Sequence, residues 1–132
     1  MNDCSCIWVD DYVVPEFYSS VIHKSKKEHT CCECGRVISS NEQYEYVYGK
    51  WDGNIEEFKT CCDCLSIRNA MFCDGVVHGS IIEDLRNHID YCNGEISSDV
   101  IMKLTPVARR VVLEMIDDEF ENSGLWEEDE SD

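Results

Sequence analysis

Two Cys-x-x-Cys pairs, Cys31 with Cys34 and Cys61 with Cys64, restrict the fold of this 132-residue chain more than any other feature. A turn of that spacing delivers two sulfurs from one tight loop, and its backbone amides can donate to them. Gly35 directly after the first pair suits a zinc knuckle, whose chain often turns through a left-handed conformation that glycine adopts cheaply. Between the pairs lie a polar turn at Ser39-Ser40-Asn41 and an alternating stretch, Tyr44 to Tyr48, with three tyrosines on one face. The Asp52-Gly53 pair tolerates the positive φ of a type I′ turn, so Ile55 to Thr60 is expected to return antiparallel. The second pair then runs into Leu65 to Phe72, a predicted short helix capped by Thr60 and ending near Gly75, whose dipole favours thiolates at Cys61 and Cys64. The expected fold is therefore α+β: a treble-clef-like zinc finger (zinc knuckle, β-hairpin, helix) followed by a small helical C-terminal region.

Four thiolates close a tetrahedral site, whereas a catalytic zinc keeps a position open, so Cys31, Cys34, Cys61 and Cys64 read as ligands of one structural zinc ion. Six of the ten cysteines fall into the two copies of this pattern, which favours metal over a disulfide framework. A second zinc is conceivable on Cys4, Cys6 and Cys73, with a fourth ligand from Cys32, Cys62 or His78. The competing reading makes these small core residues and a reduced arm. Cys92, alone at a helix end, reads as packing. Met1 to Cys6 shows no cationic segment leading into an apolar run, so a reducing, cytoplasmic location is expected.

The chain divides into an irregular N-terminal arm at 1–30 packing on the finger, the finger at 31–75, a helical region at 76–121 and an acidic tail at 122–132. Ser80 and Glu83 form a capping-box signature, and Ile81, Ile82, Leu85 and Ile89 give a helix over 80–91 its apolar stripe. Val100 to Leu104 reads as a turn or two of helix. Thr105-Pro106 supplies an N-cap and a first-position proline for a last helix through about Phe120, with Val107, Val111, Leu113, Met115 and Ile116 as its stripe. Arg109 and Arg110 are expected to pair with acids on that helix, such as Glu114.

The net charge of −17 repels phosphate, which makes nucleic acid a poor main ligand and a protein partner with a basic surface a better one. Ten acidic residues and no basic one lie between Glu114 and Asp132. No apolar run approaches the roughly 20 residues that span a bilayer. No catalytic grouping stands out: His23 and His29 flank lysines in a polar stretch, and His88 lies off the apolar stripe of its helix. The expected function is that of a non-enzymatic, zinc-stabilised interaction protein. One alternative is a nucleic-acid-binding finger using Lys24, Lys26, Lys27, Arg36 and Lys50, with the acidic tail as an autoinhibitory mimic. The other is a treble-clef nuclease, which the sequence supports poorly, since the hairpin has no histidine and the following helix offers only Arg68 and Asn69.

The Cys-x-Cys start, Pro15-Glu16-Phe17-Tyr18, His29-Thr30-Cys31-Cys32-Glu33-Cys34-Gly35, Gly49-Lys50-Trp51-Asp52-Gly53, and Lys59-Thr60-Cys61 with Cys64 together resemble a group of small zinc-finger proteins encoded by bacteriophages and prophages. The likeness covers about residues 4–90. It implies a phage origin, a host-cytoplasm location, and an acidic inhibitor or modulator of a host nucleic-acid-handling or defence protein as the form of the interaction function.

Overall fold

The structure, a computed structural model, describes residues 6–9, 13–73 and 75–122. It is a mixed α+β fold in which a three-stranded antiparallel sheet, a two-stranded ribbon and four helices pack around two small cores. No helix among the described residues is long and apolar enough to cross a membrane.

The strands are β1 (Phe17–Lys24), β2 (His29–Thr30), β3 (Val37–Ile38), β4 (Gln43–Trp51) and β5 (Asn54–Cys61). β4 and β5 form the predicted hairpin. Trp51 faces Asn54 across a two-residue turn in which Asp52 and Gly53 take φ of 52° and 82°, the positive values that a type I′ turn demands. β1 departs from the sequence reading. The arm is not irregular over Phe17–Lys24 but pairs along its whole length with β4, from Phe17 opposite Lys50 to Lys24 opposite Gln43. All eight of its residues are exposed, so no buried face imprints an alternating pattern, and only hydrogen bonding to β4 makes it a strand.

Alternation along β4 divides the sheet into two faces. Tyr44, Tyr46 and Tyr48 share one face as predicted, with Tyr44 buried and Tyr48 exposed. The opposite face, with Glu45, Val47 and Gly49, is the more deeply buried.

Helix α1 (Cys62–Met71) follows β5 without a loop. Its N-cap is Cys61 rather than Thr60, and the Cys61 sulfur accepts from the Cys64 amide. Helices α2 (Ile81–Tyr91), α3 (Ser98–Met102) and α4 (Pro106–Asn122) follow. Ile81, Leu85 and Ile89 of α2 are fully buried at helical spacing, as their pattern requires. Ser80 occupies the N-cap of α2 without making a side-chain cap bond. The donors are satisfied from afar, because Gly79 N–H (2.7 Å) and Ile81 N–H (3.0 Å) donate to the carboxylate of Glu33 in the first Cys-x-x-Cys turn.

The last helix starts where Thr105-Pro106 predicts, and Thr105 Oγ1 accepts from the Ala108 amide. Of the expected stripe, Met115 is buried and Val111 and Ile116 pack against the core, while Val107 and Leu113 are exposed and Ala108 and Val112 take the buried places between them. Tertiary bonds help to set this face. Thr105 donates from its amide to Ser66 Oγ (3.0 Å) and from its hydroxyl to Asp63 Oδ1 (2.7 Å), which fixes the azimuth of α4 on α1. Arg109 does not serve an acid on α4; it donates to the carbonyls of Ile101, Met102 and Leu104 and so closes the end of α3.

The larger core joins Ile7, Ile67 and Met71 to the buried residues of α2, α3 and α4. The smaller consists of Cys31, Ile38, Tyr44, Cys61 and Cys64, and Ile82 packs against both. A core of five residues, three of them cysteines, is too small to order this part of the chain by hydrophobic burial alone.

Candidate metal centre

The four predicted ligands come from two rigid places. Cys31 and Cys34 lie in the turn between β2 and β3, closed by Cys31 N–H to the Arg36 carbonyl (2.9 Å) and Gly35 N–H to the Cys31 carbonyl (3.1 Å). Gly35 has φ of 79°, so the left-handed turn expected of a knuckle is present. Cys61 ends β5 and Cys64 sits in the first turn of α1. The hairpin returns the chain over the knuckle, and the four sulfurs lie within 4.8 Å of one another.

The donor set fits a divalent ion. Sulfurs about 2.3 Å from a tetrahedral centre stand roughly 3.8 Å apart, and Cys34 Sγ is 3.8 Å from Cys61 Sγ. Cys31, Cys61 and Cys64 are buried while Cys34 is exposed. Amides already point at the sulfurs: Cys61 N–H (3.3 Å) and Glu33 N–H (3.4 Å) donate to Cys31 Sγ, and Cys64 N–H (3.4 Å) to Cys61 Sγ. Such bonds orient thiolate ligands and share their charge.

Charge makes the same point. Hydrogen bonds donated by the Cys61 and Cys64 thiols pull Cys31 far down, towards a permanent thiolate. The same hydrogen bonds to Cys31, reinforced by burial and by its charge, keep the protons on its neighbours, pushing Cys61 up to about 12 and raising Cys64 as well. Thiolates packed this closely repel one another, and a cation among them offsets that repulsion.

The remaining cysteines are placed elsewhere. Cys32 Sγ lies 3.6 Å from Thr60 Oγ1, and burial pushes its thiol up to about 12. Cys62 Sγ sits 3.6 Å from both Arg36 Nη2 and a Glu42 carboxylate oxygen. The second metal group does not form as expected, because Cys6 and Cys73 are joined in a disulfide that consumes both thiolates. The cause is local. Ile7 N–H donates to the Met71 carbonyl (2.7 Å) and Ile7 pairs with Phe72, which brings Cys6 to the end of α1 where Cys73 stands. His78, the other suggested ligand, stacks on Phe58 with ring centroids 4.6 Å apart. Cys4 lies outside the described residues, as do 123–132 of the acidic tail. Cys92 is buried, as a packing residue is, and is also disulfide-bonded.

Two polar networks around the centre escaped the sequence reading. Arg36, counted there among possible nucleic-acid contacts, is taken up by ion pairs with Glu42 and with Asp63 (3.2 Å). The Glu42 carboxyl is held down at about 2, chiefly by its bonds from Arg36. Asp63 also accepts from Thr105, so the chain of contacts runs from knuckle to α1 to α4. In the second network Arg68 grips Glu45 with two bonds of 2.7 and 2.6 Å, and Ser20 adds a third at 2.7 Å. Burial alone would raise the Glu45 pKa, but these donors outweigh it and leave it lowered. A lone Arg or Glu in sequence carries no sign of such a partner. Of the two polar residues weighed for a nuclease, Arg68 is thus committed to Glu45, and Asn69 is exposed.

Comparison with protein-family models, with curated proteins and with solved structures returns no match to this chain.

Proposed function

We propose that Cys31, Cys34, Cys61 and Cys64 bind one structural zinc ion in a treble-clef-like finger, and that the chain is a non-enzymatic interaction module whose acidic helical face engages a basic protein surface. The observation that carries the metal half is the closed set of four sulfurs within 4.8 Å, three of them buried. Four protein ligands leave no position for water or substrate, so the ion's role is to organise the knuckle, the hairpin end and the start of α1.

The partner half rests on charge. Residues 76–121 carry ten Asp and Glu against four Arg and Lys, and Arg109 is engaged with carbonyls. Acids crowd between helices: burial and the neighbouring Asp90 on α2 push Glu119 of α4 up. An unbalanced field of this kind accelerates and selects encounter with cations on a partner.

Elemental analysis of protein purified without chelator is expected to find one zinc per chain, lost in Cys61→Ser; a metal-free protein with the same fold rules the site out. A deca-lysine peptide titrated calorimetrically is expected to bind at 20 mM salt and to weaken steeply at 200 mM. Asp117→Asn, Asp118→Asn and Glu121→Gln combined are expected to reduce that affinity. Undiminished binding by the triple variant would remove the helical face from the interaction.

A further inference from the structure

Away from the sulfur cluster, the inner face of the sheet, the outer side of α1 and the loop before α2 border an open cavity of about 550 Å³. A side chamber of about 220 Å³ shares Trp51, Val76 and His78 with it. The main cavity lies in the range of small-molecule sites, roughly 300–1,000 Å³.

Its walls are flat and aromatic. Tyr18 meets Trp51 edge-on with centroids 6.2 Å apart, Trp51 meets Phe58 in the same manner at 5.5 Å, and Phe72 adds a further ring. His78 lies parallel to Phe58, with 13° between the planes, so its orientation is set by stacking.

Its polar groups are few. The Nδ1 of His78 is buried and has no hydrogen-bond partner. A buried polar atom left unpaired costs free energy, and a ligand that satisfies it recovers that cost. The Asn69 side chain is exposed at the rim and offers both a donor and an acceptor. Arg68 is held by its two bonds to Glu45, which also cancel its charge. Burial, reinforced by Arg68, lowers the His78 pKa to about 4, so the ring is neutral at pH 7. The cavity therefore offers π-faces and hydrogen-bonding atoms, and among its described lining residues the one charged side chain, Arg68, is paired, inside a chain whose charge of −17 opposes anions.

We propose that this cavity binds the base of an uncharged nucleoside, stacked on the Trp51 ring and edge-on to Tyr18, with its hydrogen-bonding edge on His78 Nδ1 and Asn69. Planarity suits the aromatic walls, mixed donors and acceptors suit the edge, and neutrality suits the surrounding potential. None of the four cysteines lines this site.

The test uses full-length protein and four probes, adenosine, guanosine, cytidine and uridine, followed by calorimetry and by the shift of the Trp51 indole N–H resonance. At least one nucleoside is expected to saturate, its 5′-monophosphate to bind at least threefold more weakly, and indole, planar but poor in hydrogen-bonding groups, at least tenfold more weakly. His78→Phe, which keeps the stacked ring and deletes its nitrogens, and Asn69→Ala, which alters an exposed side chain, are each expected to weaken binding tenfold. Tighter binding of a tetranucleotide than of the nucleoside would overturn the free nucleoside as the ligand. No saturable response to any of the four, equal affinity for indole, or undiminished binding by a folded His78→Phe variant would overturn base recognition itself.

Discussion

Replacing Arg68 by methionine tests the energetics of the sheet–helix junction most directly. Glu45 is 3% exposed, and its carboxylate accepts two bonds from Arg68 and one from Ser20. Methionine preserves much of the aliphatic stem but leaves a buried charge with a single donor. Removing one partner of a buried pair costs about 3–5 kcal/mol, and the 14% exposure of the Arg68 side chain points to the lower end, about 3 kcal/mol. For a urea dependence of about 2 kcal/mol per molar, the unfolding midpoint is expected to fall by about 1.5 M. The double variant Glu45→Met with Arg68→Met, which removes both charges, is expected to recover most of that loss. Acid supplies a second readout. In the parent the folded Glu45 pKa lies below its ordinary value, so the pair's contribution is complete above the unfolded pKa and is lost as pH falls through the folded one. Without Arg68, burial becomes the dominant influence and raises that pKa. Moving from pH 7 to pH 5 is therefore expected to narrow the gap between variant and parent. A midpoint shift below about 0.3 M, or a gap that widens on acidification, would refute this account of the junction.

Opening the Cys6–Cys73 disulfide with Cys6→Ser and Cys73→Ser releases a loop with a sequence separation of 67, for which chain entropy predicts a loss of about 4 kcal/mol, readable as a lower melting temperature. Glu33→Ala removes the acceptor for two amides at the start of α2 and is expected to cost about 1–2 kcal/mol in urea unfolding, with faster hydrogen exchange concentrated at Gly79 and Ile81. His78 has a folded pKa of about 4 against an ordinary 6.5, so its neutral form stabilises the fold above pH 6.5 and that contribution drains away as pH falls towards 4. His78→Phe is expected to flatten the stability profile over that window, measured by denaturation at fixed pH values.

The elements legible from sequence were those whose signals are local. The paired cysteines, the Asp52-Gly53 turn, the apolar stripe of α2 and the Thr105-Pro106 start of α4 each depend on residues within a few positions of one another, so spacing alone specifies the geometry. Long-range partnership was decided by tertiary structure. β1 exists because β4 offers it hydrogen bonds, Glu33 caps a helix 48 positions away, and Arg68 meets Glu45 across 23. The face of α4 was likewise settled by Thr105 bonding to Ser66 and Asp63, which placed Ala108 and Val112 in the core beside the expected Met115 and left Val107 and Leu113 exposed. Cys6 shows the same division. Its thiol chemistry is apparent in the sequence, but the choice between metal and disulfide depends on Ile7 docking beside Phe72, since a sulfur bonds to whichever sulfur the backbone brings within reach.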